Sequence, residues 1–165
     1  MSIIGIDPIS ALVSGLNALN NIRLGHIEEK ALLEEVLEEL KTNLKTISED
    51  YLKNNVPIEK IITVFKINKL ESAEKARKRK KLDFNNIKTG KIDKTCFVSE
   101  YQYNKYADFD TEKVLLKIRD KISDLKKAKQ LYYTRNKWSN KINPLSRMNT
   151  IVNLFVLLSN HLSIK

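Results

Sequence analysis

Residues 143–162 read NPLSRMNTIVNLFVLLSNHL. Asn143 can accept a backbone N–H as a helix cap, and Pro144 suits the first helical turn, where its missing donor costs nothing. From Ile151 to Leu158 every residue but Asn153 is apolar. A helix apolar nearly all round belongs at the centre of a packed helical protein or in lipid. At about 18 residues it is borderline as a membrane span. Arg147, Asn149, Asn153, Asn160 and His161 weigh against that, so the stretch reads as a central core helix.

The preceding segments supply helices to surround it. Asp110-Thr111 caps a helix reaching Ile142, with Val114, Leu115, Ile118, Ile122, Leu125, Tyr132 and finally Trp138 as its seam. Lysines and arginines coat the rest, Lys126 and Lys127 among them. A second long helix is expected over 26–54, where Leu33, Leu37, Leu40, Leu44, Ile47 and Tyr51 step by four and three. A third starts at Pro57, with Ile58, Ile61, Ile62, Phe65, Lys69, Ala73 and Ala76 as its inward stripe. It closes on Lys75, Arg77, Lys78, Arg79, Lys80 and Lys81. Residues 82–109 lack helical periodicity and are expected to form a long connection, with a weak hairpin signal over 88–93.

At the N-terminus, Asp7-Pro8 is the same cap-and-proline pair, and a helix follows to Leu24. Ile9, Leu12, Val13, Leu16 and Leu19 fall on one face, and Ser10, Ser14, Asn17 and Asn21 on another. The first 22 residues carry one charged side chain, Asp7. An amphipathic helix with a small, uncharged polar face can pack against protein, line a wet pore or lie in lipid.

Composition sets the outer bounds. Four glycines and three prolines in 165 residues argue for long helices and against an all-β fold. The charge is lopsided: residues 1–74 hold 8 basic and 12 acidic side chains, net −4, whereas 75–165 hold 22 and 8, net +14. So basic a half is attracted to phosphate, on anionic lipid or nucleic acid. The single Cys96 has no partner for an internal disulfide, which points to a reducing, cytoplasmic compartment. The N-terminus lacks the basic region and cleavage site of a signal peptide.

No catalytic constellation emerges. His26 and His161 are isolated, Cys96 completes no metal set, and there is no glycine-rich phosphate loop. The chain is therefore not expected to be an enzyme or to carry a cofactor or metal. The 75–81 run can be read as a solvated helix end that favours its own dipole, or as a footprint for phosphates. Lys126 and Lys127, followed by Tyr132, Tyr133 and Trp138, favour the second, since a basic face ending in aromatics can seat at a headgroup boundary.

The opening Asp7-Pro8-Ile9-Ser10-Ala11-Leu12-Val13-Ser14-Gly15-Leu16 resembles the start of the HeLo and HeLo-like cell-death domains of fungi and their bacterial and archaeal relatives, the Bell domains. That resemblance implies a helical bundle related to the four-helix domain of the necroptosis pseudokinase. It also implies that the N-terminal helix, here Pro8 to Leu24, leaves the bundle and helps permeabilise a membrane once the proteins oligomerise.

The expectation is an all-α, mostly antiparallel bundle of four or five helices in one domain over 1–165, with an amphipathic first helix within 1–24. Its expected function is that of a pore-forming or membrane-disrupting effector of cell death or antiviral defence, cytoplasmic until activation moves it to the membrane. Expected partners are anionic lipids, contacted by Lys75, Arg77, Lys78, Arg79, Lys80, Lys81, Lys126 and Lys127, further copies of the chain, and a sensor protein. A nucleic-acid-binding regulator using the same basic residues, or a helical adaptor docking helix one in a partner's groove, are the alternatives. As a helix, Pro8–Leu24 is about 25 Å long, short of the roughly 30 Å hydrocarbon core. Several copies would have to act together.

Overall fold

The computed structural model describes residues 7–165; residues 1–6 lie outside the described residues. The fold is all-α. Seven α-helices appear among the described residues: α1 (Pro8–Asn21), α2 (Lys30–Lys45), α3 (Ile58–Val64), α4 (Asn68–Lys78), α5 (Glu100–Tyr106), α6 (Thr111–Tyr132) and α7 (Pro144–Ser163). A π-helical run, Thr46–Lys53, continues α2. The two-residue strands β1 (Tyr133–Thr134) and β2 (Lys137–Trp138) form a small hairpin.

α7 is the axis. Met148, Ile151, Val152, Leu154 to Ser159 and His161 are all buried, around most of its circumference. Asn153, the exception in the sequence, is exposed. Its most extensive contacts are with α1 and then α6. α6 contributes Val114, Leu115, Ile118, Ile122 and Leu125, each fully buried. Every helix adds to one contiguous apolar core.

The expected third helix over 57–81 is two helices, because Phe65–Ile67 break it. The break is held from α2 by two buried polar residues one turn apart. Asn43 pairs with the Lys66 peptide, its Nδ2 donating to the carbonyl at 2.7 Å and its Oδ1 accepting from the N–H at 3.0 Å. The Glu39 carboxylate accepts from the N–H groups of Lys69 and Leu70, 2.9 and 3.0 Å away, at the start of α4. Those donors have no partner inside the helix, so a carboxylate there satisfies them and favours the dipole. The break changes the helix phase, so that Ile67 and Leu70 turn inward. Lys69, expected on the inward stripe, is exposed and ion-paired with Glu35 at 2.7 Å.

Other boundaries shift for local reasons. α1 stops at Asn21 and not Leu24, as Ile22 turns extended. α2 begins at Lys30 and not His26, behind Glu29 in the left-handed region (φ 56°). α6 ends at Tyr132, where Arg135 and Asn136, at φ 52° and 60°, turn the chain into the hairpin. Trp138, expected on the helix seam, lies on β2 with its indole N–H donating to Glu59 at 2.6 Å.

Residues 82–109 are no bare loop. Asp83 and Asp93 cap two single 3-10 turns, Phe84–Asn86 and Lys94–Cys96, and Ser99 caps α5. Leu82, Phe84, Ile87, Ile92, Cys96 and Tyr106 are buried along it. The expected hairpin over 88–93 is replaced by one antiparallel bridge, Lys91 to Asp110. The layer is tied to the end of α7: Lys88 Nζ donates to the carbonyls of His161, at 2.6 Å, and Ile164, and Asn160 donates to the Cys96 carbonyl at 3.0 Å.

Candidate functional site

Helix α1 is set by its cap. Asp7 accepts from the backbone of Ile9 and Ser10, at 3.3 and 3.1 Å, and from the Ser10 hydroxyl at 2.7 Å. The Ser10 bonds hold the Asp7 carboxyl below the usual carboxylate range. Ala11, Leu12, Gly15 and Leu19 are buried, Ile9 and Leu16 are half-buried, and Val13 is 45% exposed. The buried arc is thus rotated from the expected stripe, and Val13 lies outside it. Gly15 lies within the buried arc, against α7. A Cβ there would stand 2.1 Å from Ser159 Oγ and 2.9 Å from Ser159 Cα on α7, so only a glycine lets the two backbones approach this closely. Ser159 is fully buried, and its hydroxyl has no hydrogen-bond partner.

Ser10, Ser14, Asn17 and Asn21 are exposed, on the side away from α7. Among the described residues, no hydrogen bond or ion pair joins α1 to any other element; its polar contacts are all local. Apolar burial alone seats it. Gly15 and Ser159 were not singled out from the sequence. The available signal was a glycine between Leu12 and Leu19 at helical spacing, and a serine in a leucine-rich helix.

The basic residues separate into two groups. Beside the first turn of α6, Arg77 is paired with Glu112 at 3.1 Å and Lys78 with Glu74 at 3.5 Å. Burial pushes the Glu112 carboxyl up even with Arg77 beside it. Arg77, Lys80 and Lys81 line an open cleft of ≈ 480 Å³ that they share with Glu28 and Asp83. Lys75, Lys78, Arg79, Lys80 and Lys81 are exposed. At the other end of α6, Lys127 is exposed, but Lys126 donates to the Ile62 carbonyl at 3.1 Å, and burial pushes its ammonium pKa down. Lys126 therefore serves to cap α3, and its partner Lys129 likewise donates to the Glu59 carbonyl at 2.9 Å. Fourteen residues of α6, about 21 Å at roughly 1.5 Å per residue, separate Glu112 from Lys126. The residues expected to act as one lipid site are therefore two distant groups.

Of the two histidines, His26 is exposed and His161 is buried. The Thr111 hydroxyl donates to the Lys88 carbonyl at 2.7 Å, so its oxygen accepts from His161 Nε2 at 3.0 Å. Burial and then Lys88 press the His161 pKa down to about 4. Cys96 is buried, which pushes its thiol up. Among the described residues no group of three or more His, Cys, Asp or Glu is placed to hold a metal ion. Nor is any described helix long and apolar enough to cross a membrane.

No protein-family profile, curated protein sequence or solved structure matches this chain.

Proposed function

We propose that this protein is a membrane-disrupting effector of the HeLo-like kind: a mostly antiparallel helical bundle that releases its amphipathic first helix when copies assemble on an anionic bilayer. The observation that carries this reading is the seating of α1, which has no hydrogen bond or ion pair to the rest among the described residues. Leaving α7 therefore breaks no directional bond. Lipid can replace the apolar contacts at nearly equal value, roughly 1.5–3 kcal/mol for each fully buried large side chain. The difference between docked and inserted states is then small enough for assembly or anionic lipid to decide it. The exposed, uncharged Ser10, Ser14, Asn17 and Asn21 can face a lumen or one another without stranding a charge in hydrocarbon. Helix α1 spans 14 residues, about 21 Å. This is too short for a lone span, and several copies acting together fit the length.

Dye release from vesicles containing phosphatidylserine tests the reading. Full-length protein forced to oligomerise by a fused assembly domain should empty them. Gly15→Ala, which unseats α1 from Ser159, should do so faster or without the assembly domain. Intact vesicles in both cases would overturn the proposal.

A further inference from the structure

We infer that the folded protein docks on an anionic bilayer through one end of the molecule, formed by the last turn of α6, the β1–β2 hairpin and the start of α7. Leu131 enters the interface there. This assignment rests on the membrane reading above and gives it a surface other than the 75–81 run.

Positive charge beside an exposed leucine singles out this end. No Asp or Glu follows Asp124 in the chain, whereas residues 125–165 hold eight Lys and Arg. Lys127, Arg135, Lys137 and Lys141 are exposed and, among the described residues, make no ion pair or side-chain hydrogen bond. In the 75–81 run Lys75, Arg79, Lys80 and Lys81 are likewise exposed and, among the described residues, unpaired. However, Glu112 and Glu74 pair with Arg77 and Lys78, Glu28 and Asp83 line the cleft beside Lys80 and Lys81, and no exposed large apolar side chain accompanies the run. Two acids reach this end: Glu59, engaged by the Trp138 indole N–H, and Asp124, which shares a cleft with Lys121 and Arg147 beside the start of α7. Exposed cations without local partners are the ones an anionic surface attracts.

Apolar and aromatic groups accompany those cations. Leu131 is 68% exposed and sits one turn after Lys127 on the same face of α6. The Tyr133 and Trp138 rings lie 5.3 Å apart across the hairpin, both half-buried. Arg135 and Asn136, in the left-handed region, form the tight turn that holds the cations at the tip. Cations around an exposed leucine, backed by Tyr and Trp, fit the headgroup boundary of a bilayer. A nucleic-acid backbone would use the cations and leave Leu131 without a partner.

Trp138 is the one tryptophan of the chain and reports on this surface in the unmodified protein. With vesicles of phosphatidylserine in phosphatidylcholine, its emission should shift to the blue and be quenched by lipid brominated near the headgroup. Replacing Lys127, Arg135, Lys137 and Lys141 together by Gln should weaken vesicle binding by at least about tenfold. Lys78, Arg79, Lys80 and Lys81 to Gln should change it by less than about threefold, as Glu74, Glu28 and Asp83 stand beside three of them and no exposed apolar side chain accompanies them. Leu131→Ser should reduce the quenching with the thermal midpoint unchanged. All these positions are exposed, so the variants should keep the wild-type midpoint. Vesicle binding without quenching of Trp138 would overturn the assignment. So would a loss of binding in the 78–81 variant alone, or a hairpin variant that loses affinity for duplex DNA while still binding vesicles. Binding with quenching but without dye release would support this surface and overturn only the effector reading.

Discussion

At the scale of single residues, Gly15 and His161 carry the most testable consequences. Gly15→Ala places a methyl group against both the side chain and the backbone of Ser159. Overpacking of this kind costs about 1–3 kcal/mol, and a urea titration should show it. Ser159→Gly in the same chain removes two of the three clashing atoms and should recover part of the loss, a coupling that a double-mutant cycle measures. His161 is buried neutral with a folded-state pKa of about 4, below its ordinary 6.5. Between these values the unfolded chain binds the proton and the folded one does not. Stability is therefore complete above pH 6.5 and falls as the pH drops toward 4, by about 3 kcal/mol. His161→Gln should flatten the dependence in that window. Asp7, Asp93 and Asp108 are shifted in the same direction, their carboxyls held low by Ser10, Thr95 and Lys91. Their contribution is lost only at lower pH, below the usual carboxylate range.

At the scale of elements, the division between α3 and α4 is the feature that sequence reasoning missed. Ile58, Ile61, Ile62 and Phe65 continue smoothly in register into Ala73 and Ala76, so a period count sees one helix. Nothing within 58–81 signals a break as strong as proline or glycine would. The signal lies on another helix, in Glu39 and Asn43, and reads there as one of the four glutamates of α2 and a lone asparagine. Glu39→Ala should cost about 2–4 kcal/mol, because two N–H groups of α4, that of Leu70 buried and that of Lys69 part-buried, lose a charged acceptor. Denaturant unfolding measures this, and Glu38→Ala, on an exposed neighbour, should change stability by less than about 1 kcal/mol. The hairpin was missed for a related reason. Its turn residues Arg135 and Asn136 include no glycine, and the lysine-rich helix before it gives no sign of where to stop.

At the scale of the whole molecule, the charge asymmetry and the seating of α1 bear on the same behaviour. If docking on lipid is electrostatic and disruption depends on α1, the two should separate. Raising salt should weaken vesicle association, since exposed charges are screened over about 10 Å at 0.1 M. The dye released per bound protein should change much less. Ser14→Lys, on the exposed face of α1, should leave the unfolding midpoint within about 0.5 kcal/mol of the wild type. Its effect on leakage then reports the inserted state, apart from the docked one.

The all-α class, the capped starts of α1, α6 and α7, and the central place of α7 were determined by the sequence alone. Cap residues and apolar periodicity act over a few residues, so local chemistry suffices to read them. The face of α1 that is buried, the break held by Glu39 and Asn43, and the packed layer over 82–109 were decided only by the tertiary structure. So was the division of the basic residues between the two ends of α6. Each depends on a contact between residues distant in the chain: Gly15 with Ser159, Glu39 with Leu70, Lys88 with His161, Lys126 with Ile62. Periodicity gives the direction of a side chain about its own helix axis, but not what stands opposite it, and these features depend on what stands opposite.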